Sequence, residues 1–162
     1  MIAVELWSIN RPKPYPRNAR KISDAAVSKV AASIQEFGWR QPIVVDVEGM
    51  VVAGHVRLLA AHKLALSEVP VHIADNLTPS QIKTYRLMDN RSHEETGWDL
   101  ELLGQELAEI QALDVDASLT GFDAPEISTL FAPDAETGDP GETVSAPQRC
   151  PKCGALQGDE PL

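Results

Sequence analysis

The stretch MVVAGHVRLLAAHKL, residues 50–64, changes from a β-branched run to a run of strong helix formers at a single glycine. A strand that passes directly into a helix exposes the unpaired N–H groups and the positive dipole end of that helix at the turn. Gly54 allows a ligand to approach the backbone closely, and Arg57 can donate two hydrogen bonds to phosphate oxygens. The pattern therefore predicts either an anion site or a glycine turn whose arginine pairs with a nearby acid.

The other apolar patterns predict a small mixed sheet with helices packed on it, which is an α+β fold. Ser23 or Asp24 can cap the first helix, and Gly38 can end it. Thr78 followed by Pro79 is typical of the start of another helix. Strands are expected at 4–9, 42–46, 50–54 and 69–75, and helices at 23–40, 55–66, 77–92, 98–113 and 123–131. The second and third strands are close enough to form a hairpin.

The formal net charge of −10 is unevenly distributed. Residues 1–91 carry twelve Lys and Arg against eight Asp and Glu, whereas residues 92–131 carry ten acids and no base. We expect a domain at 1–93, an acidic helical extension at 94–131 and a flexible tail at 132–162. The apolar stripe expected in the extension comprises Leu100, Leu103, Leu107 and Ile110. Because DNA affinity depends on neutralised phosphates, we expect this chain to bind DNA weakly or through a partner.

The two cysteines lie close together near the C-terminus, as Cys150 and Cys153 in CPKC. They are too few for a disulfide framework, and the N-terminus lacks the pattern of a signal peptide, so we expect a cytoplasmic protein without a membrane span. One Cys-x-x-Cys pair supplies half of a structural Zn²⁺ site. The pair is therefore either free of metal or completed by a partner or a second copy.

Five segments follow one another within residues 2–93 in this order: RNAR, SIQEFGWRQPIVV, VVAGHVRLLAAHKL, VPVHIAD and MDNRS. In their order and spacing, residues 2–93 resemble the N-terminal domain of the ParB-type chromosome and plasmid partition proteins, which share a fold with sulfiredoxin. Residues 97–131 resemble the segment that follows this domain in phage and mobile-element members, which are often fused to, or encoded beside, DNA methyltransferases. The resemblance implies a role in DNA transactions, with a methyltransferase or another phage protein as a possible partner.

ParB-type domains bind a nucleoside triphosphate, usually CTP, so the resemblance implies that this chain binds CTP or ATP with Mg²⁺. The residues it places at the nucleotide and its phosphates are Gly38, Gln41, Pro42, Gly54, His55, Arg57 and Asn90. His55 and Val56 stand where the family turn has an acid and its first arginine, so phosphate binding is more expected here than triphosphate hydrolysis. The early loop motif of the family is matched loosely by Arg17, Asn18 and Arg20.

Asp89 and Asn90 match the start of a Glu-Asn-x-x-Arg motif that holds phosphate and a divalent cation in this family. Their side chains offer the hard oxygen ligands that suit Mg²⁺. The alternative is a helix C-terminus capped by Asn90 in the left-handed conformation, and such a cap does not exclude metal binding.

Three functions are therefore considered. The first is a nucleotide-binding module that acts in DNA transactions of a phage or mobile element. The second is an enzyme, such as a metal-dependent nuclease, a phosphotransferase or a weak nucleoside triphosphatase. The third is a degenerate domain that serves as partner of a DNA methyltransferase. Sulfiredoxin activity is not expected, because His55 stands where sulfiredoxin places its catalytic cysteine.

Overall fold

A computed structural model describes residues 3–92 and 94–131 of the chain. The strands are β1 (Glu5–Ser8), β2 (Ile43–Val45), β3 (Val51–Ala53) and β4 (Glu68–Ile73). The helices are α1 (Asp24–Phe37), α2 (His55–Lys63), α3 (Pro79–Ser92), α4 (Leu100–Ala112) and α5 (Ala124–Phe131). A short 3₁₀ turn that the sequence did not predict covers Ala117–Thr120. The expected α+β fold is confirmed.

The four strands form one mixed sheet in the order β1-β4-β2-β3. Strand β4 runs antiparallel to β1 and parallel to β2, and β2 runs antiparallel to β3. The predicted hairpin between β2 and β3 is confirmed. Its turn closes on Asp46, whose carboxylate Oδ1 accepts hydrogen bonds from the backbone N–H groups of Glu48 at 3.0 Å and Met50 at 2.9 Å.

The hydrophobic core lies between the sheet and α2. Helix α2 contributes Leu58 and Ala61, both of which are buried. Helix α1 packs against α2, and α3 packs against β3, so all three residues of β3 are buried. The sheet residues with no exposed surface are Ile43, Val45, Val51, Val69 and Val71. Strand β3 therefore ends inside the core, so the chain must turn there while β3 and α2 both stay packed in that core.

The predicted helix ends are confirmed by their hydrogen bonds. Ser23 caps α1 by accepting a hydrogen bond from Ala26 N–H at 3.2 Å. Gly38 ends α1 with φ of +71°, and its N–H donates to the carbonyl of Ile34. At the start of α3, the hydroxyl of Thr78 accepts from Gln81 N–H, and the side chain of Gln81 accepts from Thr78 N–H. This reciprocal pair is a capping box.

The apolar stripe predicted for α4 is correct in part. Leu107 is 1% exposed and Leu103 and Ile110 are half-buried, but Leu100 is 64% exposed. Helical side chains lean toward the helix N-terminus, so Leu100, the first residue of α4, projects beyond the packed surface. In residues 3–92 and 94–131, the helices are too short or too polar to cross a bilayer. The predicted tail, with Cys150 and Cys153, lies outside the described residues.

Replacing Leu58 by alanine should lower the free energy of unfolding by about 2–5 kcal/mol, because the side chain is 1% exposed and its removal leaves a cavity in the core. The neighbouring Leu59 is 41% exposed and provides the matched control, with an expected cost below about 1 kcal/mol. Chemical denaturation of the two variants measures the difference. Equal losses would contradict the assignment of α2's buried face.

Candidate functional site

The turn between β3 and α2 depends on a left-handed backbone at Gly54, with φ of +96°. A Cβ atom at this position would lie 3.1 Å from Nη1 of Arg57 and 3.4 Å from Cα of Ile43, so a side chain would be strained and crowded. No side chain caps α2. The N–H groups of its first turn therefore lack a side-chain acceptor, and they can receive an anion.

A cavity of about 450 Å³ opens at this turn. Its wall is formed by the loop before α1, by α1, by the end of β3 and by residues of α2 and α3. The cations Arg20, Lys21 and Arg57 line it together with one carboxylate, that of Asp89. Apolar side chains complete the wall, among them Ile22, Val30 and Val52. The cavity thus combines a positively charged part with a part suited to an uncharged ring.

Arg57 is held at this cavity by the segment that precedes β2. Its Nη1 donates to the carbonyl of Pro42 at 3.0 Å, and its Nη2 donates to the side-chain oxygen of Gln41. Burial lowers the pKa of Arg57 while the charge of Asp89 acts in the opposite direction, and an arginine stays protonated under such influences. A guanidinium carries five N–H groups, so these two hydrogen bonds orient it and leave donors for a ligand.

Three residues before β2 were expected to bind the nucleotide, namely Gly38, Gln41 and Pro42, and the structure places them outside the cavity. Gln41 and Pro42 contact Arg57 and do not line the cavity themselves. Gly38 ends α1 and also does not line it. Gly54, His55, Arg57, Asp89 and Asn90 do line it, and their predicted role in binding nucleotide or metal stays a prediction.

His55 is the first residue of α2, and it fixes the loop that precedes α1. Its Nε2 accepts a hydrogen bond from the backbone N–H of Tyr15 at 3.3 Å. This bond requires an unprotonated Nε2, which assigns the ring hydrogen of the neutral form to Nδ1. Burial, and then the positive charge of Arg86, lower the pKa of His55. The neutral imidazole is therefore the form that holds the loop.

Asp89 and Asn90 lie inside α3, which continues to Ser92. Asn90 is not among the described non-glycine residues with positive φ, so the alternative of a left-handed cap at Asn90 is wrong. Its side chain donates from Nδ2 to the carbonyl of Arg86 at 2.8 Å. Asp89 and Asn90 both border the cavity and bring two oxygen-bearing side chains to it. No group of three or more His, Cys, Asp or Glu side chains suited to a metal occurs in residues 3–92 and 94–131.

Arg86, which was not predicted as a site residue, contacts β3, the β2–β3 turn and the loop before α1. Its Nε donates to the carbonyl of Val51 at 3.1 Å, and its Nη2 lies 3.6 Å from Oδ2 of Asp46. Its guanidinium carbon is 3.9 Å from the centre of the Tyr15 ring. The side chains of Arg86 and Asp46 are only 11% and 14% exposed. Arg86 therefore ties α3 to the β2–β3 hairpin and to the loop that His55 also holds.

The sequence contained only a weak indication that Arg86 lies near the site. Arg86 precedes Asn90 by one helical turn, which places the two residues on the same face of α3. Nothing in the sequence indicated its partners Asp46 and Tyr15, because they come from a hairpin turn and a proline-rich loop. The three groups meet only in the folded chain.

Two family models match this sequence. The model described as the ParB N-terminal domain matches residues 2–91. The model described as the ParB-methyltransferase HTH domain matches residues 101–153. The second match confirms the resemblance of residues 97–131 to the segment that follows this domain in methyltransferase-associated members, but its helix-turn-helix fold was not predicted. It also crosses the boundary expected between the extension and the tail.

This chain is also similar to a curated protein and to several solved structures. The ParB-like nuclease domain-containing protein YnaK of Escherichia coli K12 is 41% identical over 68 residues, which cover 42% of this chain and 78% of that protein. Truncated ParB from Caulobacter crescentus, solved with CTP-γ-S, superposes with a TM-score of 0.64 at 18% identity, over 79% of this chain and 76% of that one. Sulfiredoxin from Arabidopsis thaliana gives a TM-score of 0.44 at 21% identity, over 51% and 96% of the two chains.

Replacing Arg86 by methionine should lower the free energy of unfolding by about 2–4 kcal/mol, because it leaves the shielded carboxylate of Asp46 without its cation. Arg91 lies on the same helix, is 66% exposed and pairs with Glu94 and Glu95. Arg91→Met is therefore the matched control, with an expected cost below about 1 kcal/mol. Urea titrations of both variants test this, and coincident midpoints would show that Arg86 does not support the fold.

The lowered pKa of His55 predicts a pH dependence of stability. Below its unfolded pKa of about 6.5, the unfolded chain binds a proton that folded His55 does not bind. The free energy of unfolding should therefore fall as the pH drops through 6.5, and this loss should level off below the folded pKa. His55→Gln should remove this contribution at pH values below 7. His62→Gln, on the same helix but exposed, should retain it; identical pH profiles for the two variants would refute the assignment.

Proposed function

Because this chain belongs to the ParB N-terminal domain family, as its sequence motifs predicted, we propose that it is a nucleotide-binding module that holds CTP or ATP with Mg²⁺. The observation that carries the proposal is the uncapped start of α2 at a cavity of about 450 Å³ with three cations on its wall. The module would act in DNA transactions of a phage or mobile element, in the cytoplasm.

The phosphates of the nucleotide would be bound by the charged part of the cavity. The backbone N–H groups at the start of α2 and the remaining donors of Arg57 provide hydrogen bonds, and Arg20 and Lys21 add positive charge. Ile22, Val30 and Val52 provide apolar contacts that suit a base. The structure of ParB from Caulobacter crescentus with CTP-γ-S supports a nucleotide as the ligand class.

The residues also fit a divalent cation beside the phosphates. Asp89 and Asn90 carry oxygen atoms of the kind that Mg²⁺ prefers, and they border the same cavity as Arg57. Mg²⁺ commonly completes its coordination with phosphate oxygens and water, and there it would neutralise part of the phosphate charge. Asp89 would hold the ion while Arg57 contacts the phosphates.

Two alternatives each have one observation in their favour. The YnaK relative is named as carrying a ParB-like nuclease domain, which favours metal-dependent cleavage of a phosphodiester. The match to a ParB-methyltransferase HTH domain favours a chain that works with a DNA methyltransferase. In both cases DNA is engaged weakly or through the partner, since residues 92–131 carry ten acids and no base. A Zn²⁺ ion at Cys150 and Cys153 stays a prediction of the sequence alone.

Calorimetry with CTP, ATP and GTP, each with and without Mg²⁺, tests the proposal. We expect at least one nucleotide to bind in the presence of Mg²⁺, and we expect Arg57→Ala to weaken its binding by roughly tenfold to a few hundredfold, as the loss of charge-assisted hydrogen bonds requires. Arg91→Ala, which removes an exposed arginine outside the cavity, is the control and should bind normally.

Two results would contradict the proposal. The first is a folded wild-type chain that binds none of the three nucleotides. The second is an Arg57→Ala variant with unchanged affinity. Cleavage of DNA in Mg²⁺ that disappears in Asp89→Asn, without nucleotide binding, would favour the nuclease alternative.

A further inference from the structure

A second cavity, of about 260 Å³, lies between the proline-rich loop and the outer part of α3. The loop contributes Tyr15 and Arg17, and α3 contributes Lys83, Arg86 and Leu87. The family motifs include neither Lys83 nor Arg86. The nucleotide proposed above is accounted for by the first cavity alone, so this second cavity needs its own explanation.

The charge of this second cavity is entirely positive. Arg17, Lys83 and Arg86 line it, and its described lining residues include no carboxylate. Arg86 is compensated by Asp46. Arg17 and Lys83, in contrast, form no ion pair with any residue in 3–92 or 94–131. Two uncompensated cations at one concave surface create a positive potential that attracts an anion.

A hydrogen-bonded wall separates the two cavities. Asn18 and Asn90 line both of them. Arg20 joins these two residues, because its backbone N–H donates to Oδ1 of Asn18 at 3.2 Å and its Nη1 donates to the carbonyl of Asn90 at 3.3 Å. Asn90 is itself tied to the carbonyl of Arg86. Residues of the loop and of α3 therefore form together the border that the two cavities share.

We propose that the second cavity binds a phosphate group of a ligand other than the nucleotide in the first cavity. The guanidinium of Arg17 can donate two parallel hydrogen bonds to phosphate oxygens, and the ammonium of Lys83 adds a point charge. The volume suits one phosphate with its sugar. A single nucleic-acid strand and a small phosphorylated molecule both present such a phosphate, and they are the two sources of this ligand. This inference goes beyond the proposed nucleotide site and does not require it.

The test compares two doubly substituted full-length chains with equal loss of charge. Arg17→Ala with Lys83→Ala removes both uncompensated cations. Lys63→Ala with Arg91→Ala is the control, since both residues are exposed and neither lines this cavity. Fluorescence anisotropy measures binding of a single-stranded oligothymidylate of about 12 nucleotides, over a series of salt concentrations. Calorimetry measures binding of ribose 5-phosphate, a sugar phosphate without a base. Melting temperatures confirm that both chains are folded.

We expect the cavity variant to bind one of these probes at least tenfold more weakly than the control. If the strand is the ligand, the slope of log affinity against log salt should also fall by roughly one to two. Weaker binding of the strand alone identifies a nucleic acid as the ligand, and weaker binding of ribose 5-phosphate identifies a small phosphorylated molecule. Equal affinities of the two variants for both probes overturn the inference.

The same assays separate this inference from the proposed function. Arg57→Ala should lose nucleotide affinity but bind the strand or ribose 5-phosphate as the wild type does. A chain that binds no nucleotide, but whose cavity variant loses the second probe, refutes the proposed function and retains the second site.

Discussion

The left-handed backbone at Gly54 is the constraint on which the rest of the site depends. Strand β3 is buried on all sides, and α2 must begin directly after it to cover the sheet with Leu58 and Ala61. A side chain at this turn would be strained by the positive φ and would crowd the guanidinium of Arg57. The same geometry that packs the core therefore leaves the start of α2 uncapped at the cavity. Folding and anion binding here have one structural cause.

The positive charges of the domain fall into two groups with different roles. Arg86 is shielded from water and fully engaged with a carboxylate, a carbonyl and an aromatic ring, so it serves the fold. Arg57 is only partly engaged, by Pro42 and Gln41, and Arg17 and Lys83 have no anionic partner in the described residues. Buried charges must be compensated within the protein, whereas charges at a cavity can be compensated by a ligand. Compensation within the protein therefore distinguishes Arg86, which stabilises the fold, from the cations proposed to bind ligands.

The parts of the structure that follow from local rules could be predicted from the sequence. The caps at Ser23, Gly38 and Thr78 are local, and so is the strand-to-helix turn at Gly54. The contacts of Arg86 and the hydrogen bond from Tyr15 to His55 could not be predicted, because each joins residues that are at least 35 positions apart. The 3₁₀ turn and the exposure of Leu100 depend on how α4 packs, which its periodicity does not determine. The family of residues 97–131 could be predicted from their resemblance, whereas their helix-turn-helix character could not, because ten acids and no base are atypical of a DNA-reading segment.

The acidic segment 94–131 limits what the basic cavities can attract. Helix α5 contacts α1 through Glu126, whose carboxylate lies 4.0 Å from Nζ of Lys29, so negative charge is present on the same domain as both cavities. A long duplex would bring many phosphates near the ten acids of this segment, and repulsion there would offset attraction at the cavities. A nucleotide or a short strand places its few phosphates within a cavity and largely avoids that repulsion, because salt screens charges beyond about 8–10 Å. The distribution of charge therefore favours small or single-stranded phosphate ligands over a DNA-coating mode.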